Sequence, residues 1–132
     1  MTKTAIAIAA LLLTAGSLTE ATYRPDVREA RQWARSRMPA RQFRCLDVLW
    51  DRESHWRVRA RGPMTRHGRA RGIPQALPGR KMRSAERPRR GPAWDDWRRD
   101  ALVQVAWGLR YVRARYRSAC AALRHQTRRG WY

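Results

Sequence analysis

Phe43, Leu46, Leu49 and Trp50 recur at helical spacing behind Pro39, which confines residues 40–54 to one amphipathic helix. Glu53 falls on the same apolar stripe rather than on the solvated side. Three effects act to keep its proton on: burial beside Trp50 and Trp56, the negative end of the helix, and a local backbone that offers carbonyls instead of donors. Arg52, Arg57 and the positive field of the whole chain act the other way. If desolvation wins, Glu53 is a carboxylic acid still protonated near neutral pH. A salt-bridged surface glutamate is the competing reading in so arginine-rich a chain.

The other elements follow from similar signals. Pro25 and Asp26 suit a helix start, and Val27, Ala30, Ala34 and Met38 continue at helical spacing until Pro39. From Arg57 to Trp94 the chain is rich in Arg, Gly and Pro and keeps no period, so it reads as a long loop with one helical turn near Lys81 to Ala85. Asp95, Asp96 and Asp100 suit the start of a further helix, Asp100 to Tyr116. That helix carries an apolar stripe, Leu102, Val105, Leu109, Val112 and Tyr116. A second stripe, Gln104, Gly108, Tyr111 and Arg115, suits either a cleft wall or a solvated face. A short helix around Ser118 to His125 and the aromatic pair Trp131-Tyr132 follow. The expected class is mainly α, with a long Arg/Gly/Pro-rich loop and little or no sheet.

Composition bounds the partners. Thirty Lys and Arg against ten Asp and Glu leave a net charge of +20 over 132 residues, enough for one domain. Such a field attracts polyanions, whether nucleic acid, anionic lipid or acidic wall polymer, without choosing among them. Residues 1–21 read as an export signal: Lys3, an apolar run from Ala5 to Ala15, and small residues around Thr19-Glu20-Ala21. The run is about eleven residues, shorter than the roughly 20 that span a bilayer. An ordinary N-terminal core helix is the alternative. The expected domain is then 22–132, secreted. Two cysteines, Cys45 and Cys120, are either bridged or buried as free thiols; a bridge is worth roughly 4 kcal/mol by loop entropy. His55, His67 and His125 show no ligand spacing, so no metal is expected, and no cofactor motif is present.

Three short blocks carry more. Glu53-Ser54, Gly72-Ile73-Pro74-Gln75 and the run from Gln104 to Val112 resemble, in order, motifs of lytic transglycosylase and goose-type-lysozyme-like domains. The runs Gln42 to Trp50, Gly72 to Met82 and Gly130-Trp131-Tyr132 are similar to a small secreted actinobacterial and phage-borne branch. The resemblance implies a lysozyme-like helical fold with a peptidoglycan cleft and Glu53 as general acid, then base. It places Ser54, Gln75, Gln104 and Tyr111 along the cleft as substrate contacts, and it pairs Cys45 with Cys120. The muramic acid's own 6-hydroxyl displaces the leaving group in such lyases, so one carboxyl suffices; a hydrolase needs a second one to position water. Asp47 and Asp51 share the helix of Glu53 and are poorly placed to face it.

The segment Gly62 to Arg71 departs from the resembled pattern. It is longer, lacks the usual Asn and Tyr, and has Arg71 where an aromatic shapes the sugar site. The final long helix also starts on Asp100-Ala101 instead of Asn-Pro. The expected function is a monomeric, wall-associated enzyme that cleaves the MurNAc-GlcNAc bond of peptidoglycan, held to anionic wall polymer by charge, with no specific nucleic acid partner. The alternative is a non-catalytic cationic protein that coats a polyanion, supported by the Arg/aromatic interleaving from Trp94 to Arg99.

Overall fold

The computed structural model describes residues 26–84 and 97–132. The expected export signal and the residues Trp94, Asp95 and Asp96 lie outside the described residues. The described chain is mainly helical: α1 (Val27–Arg35), α2 (Ala40–Ser54), a hairpin of β1 (Arg61–Thr65) and β2 (Gly68–Arg71), a 3-10 turn at Gly79–Ser84, α3 (Ala101–Tyr116) and α4 (Ala119–Arg129).

The helix starts follow from side-chain caps. Asp26, Asp100 and Ser118 each accept a bond from the backbone N–H three residues on, satisfying donors that the first turn leaves open. α2 has Pro39 at its cap and runs over the span its apolar spacing predicts. α1 stops at Arg35, before the expected Met38: the N–H of Ser36 still bonds Gln32 O, but that of Arg37 bonds Ala34 O, three residues back, and closes the helix in a tighter turn. Met38 still packs against the core from the connecting turn.

Two features differ from expectation. The region read as a long loop with one helical turn contains, besides the 3-10 turn, an antiparallel hairpin, Arg61 pairing with Arg71 and Thr65 with Gly68, with an irregular register between Arg61 and Met64. Its residues alternate poorly because β1 is largely exposed along its length, so no buried face imposes a period. The last helix extends past His125 to Arg129 and ends on Gly130 in the left-handed conformation, with Arg128 and Arg129 in its final turn.

The core lies among the four helices and the loop after the hairpin. Leu46, Leu49, Trp50, Ile73, Leu102, Val105 and Val112 are buried at its centre. A smaller cluster of Ala76, Met82, Trp97 and Val103 joins the loop to the start of α3. Cys45 and Cys120 form a disulfide that ties α2 to α4. On the flank, Arg31 of α1 makes a bidentate pair with Asp47 of α2, at 2.8 and 2.6 Å. No helix among the described residues is long and apolar enough to cross a membrane.

Candidate functional site

α2 carries Glu53 to its last turn, one residue before Ser54 ends the helix. The backbone then turns sharply, with His55 and Trp56 both at left-handed φ, 51° and 55°. Side chains seldom adopt that region, and each such residue costs about 1–3 kcal/mol. The corner brings the buried Trp56 ring back against Trp50, edge to face at 5.1 Å. The indoles thus wall the end of α2, and the strain is held by their burial.

Glu53 is half-buried. Burial raises its pKa above the ordinary carboxylate value, and a hydrogen bond from the Gln126 side chain partly lowers it again. Among the described residues no arginine pairs with it. The neighbouring Arg52 turns away to α4, where Nη1 donates to Gln126 Oε1 at 3.0 Å and Thr127 Oγ1 at 2.9 Å. Gln126 therefore neighbours both groups, its Oε1 taking the guanidinium of Arg52. Asp47 is paired with Arg31, and Asp51 is exposed with His55 at 3.4 Å; both share the helix of Glu53.

Aromatic rings continue from there. Tyr132 accepts a bond from Trp50 Nε1 and donates to the carbonyl of Pro74, both at 2.7 Å. Its phenol pKa is pushed well above the ordinary value, by burial first and by the charge of Glu53 next. The Tyr132 ring meets Tyr111 edge-on at 5.9 Å, and Tyr111 stacks on Trp107 at 5.2 Å. Tyr132 is thus a neighbour of both Glu53 and Tyr111.

The other residues singled out in the sequence have different surroundings. Ser54 is buried, its hydroxyl donating to Ile73 O at 2.8 Å and reaching Trp50 O at 3.2 Å. Gln104 is fully buried. Its Oε1 accepts from Ile73 N–H at 2.8 Å, and its Nε2 donates to Val58 O at 3.0 Å and Trp97 O at 2.8 Å. Both amide hydrogens are spent, so Gln104 is a tether between three segments with no donor left for a ligand. Gly72, at φ +76°, permits this: a Cβ there would stand 2.5 Å from Gln104 Oε1.

Gly108 also departs from a cleft-wall role. A Cβ on it would stand 2.5 Å from Trp50 Cζ2, so the bare backbone receives the indole rather than a ligand. Gln75 is half-buried at left-handed φ, 51°, and its Nε2 donates to Gly72 O at 2.9 Å. Tyr111 is half-buried with part of its ring open.

Gln126 and Tyr132 are the neighbours of Glu53 that spacing did not single out. The signal for Gln126 was Gly130 behind two arginines, which marks a helix end beyond His125. Among the described residues no cluster of His, Cys, Asp or Glu could hold a metal ion. No protein-family model, curated protein or solved structure matches this chain.

Proposed function

We propose that this protein cleaves the MurNAc-GlcNAc bond of peptidoglycan as a lytic transglycosylase does, with Glu53 as the acid and then the base. The observation that carries this is the half-buried Glu53 carboxyl, raised by desolvation and bonded by a neutral amide instead of an arginine. Glu53 gives its proton to the glycosidic oxygen as the C1–O bond breaks. The 6-hydroxyl of the same muramoyl residue closes on C1 and returns a proton to Glu53. The products are a 1,6-anhydro end and a free hydroxyl, with no water consumed and no second carboxyl required. Asp47 and Asp51, both occupied, fit that economy.

Tyr111 and Gln75, each partly open, are the residues we assign to sugar contact; Ser54 and Gln104 act by holding the loop at Ile73. The protein would work outside the cytoplasm, where its disulfide is stable, and bind the wall as a monomer without a cofactor. A second reading, a non-catalytic cation that coats wall polymer, is favoured by the exposed arginines.

Turnover of purified peptidoglycan, read by mass spectrometry, tests both. Glu53→Gln should lower product release by about 10²–10⁴-fold with the fold retained. Anhydro ends support the lyase, and reducing ends support hydrolysis. Salt-sensitive binding without any soluble product would leave only the coating protein.

A further inference from the structure

Away from Glu53 and its partners, one cavity has a lining that packing does not account for. It encloses about 170 Å³ and is walled by Arg59, Arg61, Arg71, Arg98 and Arg99, with Trp97 beside them. These arginines come from separate parts of the chain: the loop after α2, the two hairpin strands and the turn before α3. Among the described residues no carboxylate lines the cavity, and none of the five arginines is in an ion pair.

The walls are held rather than loose. Gln104 ties Val58 and Trp97 together through their carbonyls. Arg71 is pinned by two backbone bonds with Ala76, at 3.1 and 3.0 Å. Arg98 lies on the Trp97 ring, 4.7 Å from its centroid. Positive potential is already felt there: the Arg71 guanidinium is held below its ordinary pKa by burial and then by Arg61, Arg69 and Arg98. Clustered like charges without a counter-charge repel, and an anion entering the cavity relieves them.

We propose that this cavity is a phosphate site that seats one phosphodiester of an unbranched polyol phosphate chain. Guanidinium forks match phosphate oxygens in pairs, and several converge here. The volume, about 170 Å³, equals roughly five or six waters at ~30 Å³ each. That accommodates a phosphate and its ester carbons but not a nucleoside. Trp97 is buried and has Arg98 across its face, so it offers no platform for a base. The site is independent of the chemistry assigned to Glu53.

Arginine Nε–H NMR titration at fixed ionic strength tests it, with inorganic phosphate and then bis(glycerol) phosphate as probes. The expected result is saturation confined to a few arginines, at millimolar affinity. Arg61→Gln/Arg98→Gln should weaken it by about tenfold, and Arg128→Gln/Arg129→Gln, with equal charge loss on α4, by less than about twofold. Arg59→Gln/Arg99→Gln, both exposed, repeats the test should the first pair disturb folding. Equal losses in the cavity and α4 variants, no saturation, or equal competition by a carboxylate such as glucuronate would each overturn the proposal.

Discussion

The last turn of α2 and the hairpin side of the molecule treat charge in opposite ways. Around Glu53 a single half-buried carboxyl lies near Tyr132 and beside Gln126, which takes the Arg52 guanidinium. On the hairpin side five arginines, Arg71 among them, line one cavity with no acid among its described residues. In a chain with thirty basic residues, keeping cations off one carboxyl takes structure, because the average field would otherwise hold it ionised. What separates the regions is where amides are spent. Gln126 intercepts Arg52 beside the carboxyl, whereas Gln104 braces the wall behind the arginines. The same side chain isolates a charge in one place and exposes charges in the other.

Removing the disulfide is the largest perturbation of this contrast. Cys45→Ser/Cys120→Ser frees a closed loop of 75 residues' separation and should cost about 4 kcal/mol in urea unfolding. Because the bridge joins α2 to α4, it should disturb the Glu53–Gln126 contact more than phosphate binding at the hairpin. Equal damage to both would show that the two regions are not mechanically distinct. Gln104→Leu comes next. It strands Ile73 N–H and two carbonyls in the interior, a loss of about 3 kcal/mol, and should loosen the arginine cavity first.

Gln126→Ala is the smallest and the most selective change. Its hydrogen bond lowers the Glu53 pKa, so its loss should let burial raise that pKa further. In the proposed reaction the working acid is the protonated form, and activity should fall as pH rises through its pKa. The alkaline limb of the pH–rate profile should therefore move to higher pH when Gln126→Ala is made together with Arg52→Ala, which removes the guanidinium that Gln126 intercepts, with phosphate binding unchanged. An unmoved limb would mean that Gln126 does not control the proton. Stability carries the same sign: a carboxyl whose folded pKa is raised disfavours the native state once pH exceeds its unfolded value. Glu53→Gln should then be as stable as the parent or more so at pH 7, read as the urea midpoint.

Much of the helical frame was legible because it rests on local rules. Pro39 and the spacing of Phe43, Leu46, Leu49 and Trp50 delimit α2, and Asp26, Asp100 and Ser118 sit at the caps where such side chains are expected. The hairpin was not legible, since β1 is exposed nearly throughout and carries no alternation, and the register is broken near Gly62-Pro63. Nor was the burial of Gln104. A polar residue on a helical stripe reads as solvent- or ligand-facing until Val58, Ile73 and Trp97 arrive from distant positions to meet it. Glu53 was found by its place on the apolar face, but the amide that shields it sits on another helix, out of reach of any periodicity.

Tyr132 hydrogen-bonds an indole 82 positions earlier in the chain. During synthesis α2 leaves the ribosome long before that phenol exists, so a nascent chain cannot yet shelter its carboxyl as the finished fold does. The acid is completed late, by contacts of high sequence separation that form slowly. Until then the emerging polypeptide has the helix but not the sheltered carboxyl, so the activity proposed for Glu53 would wait for the finished fold.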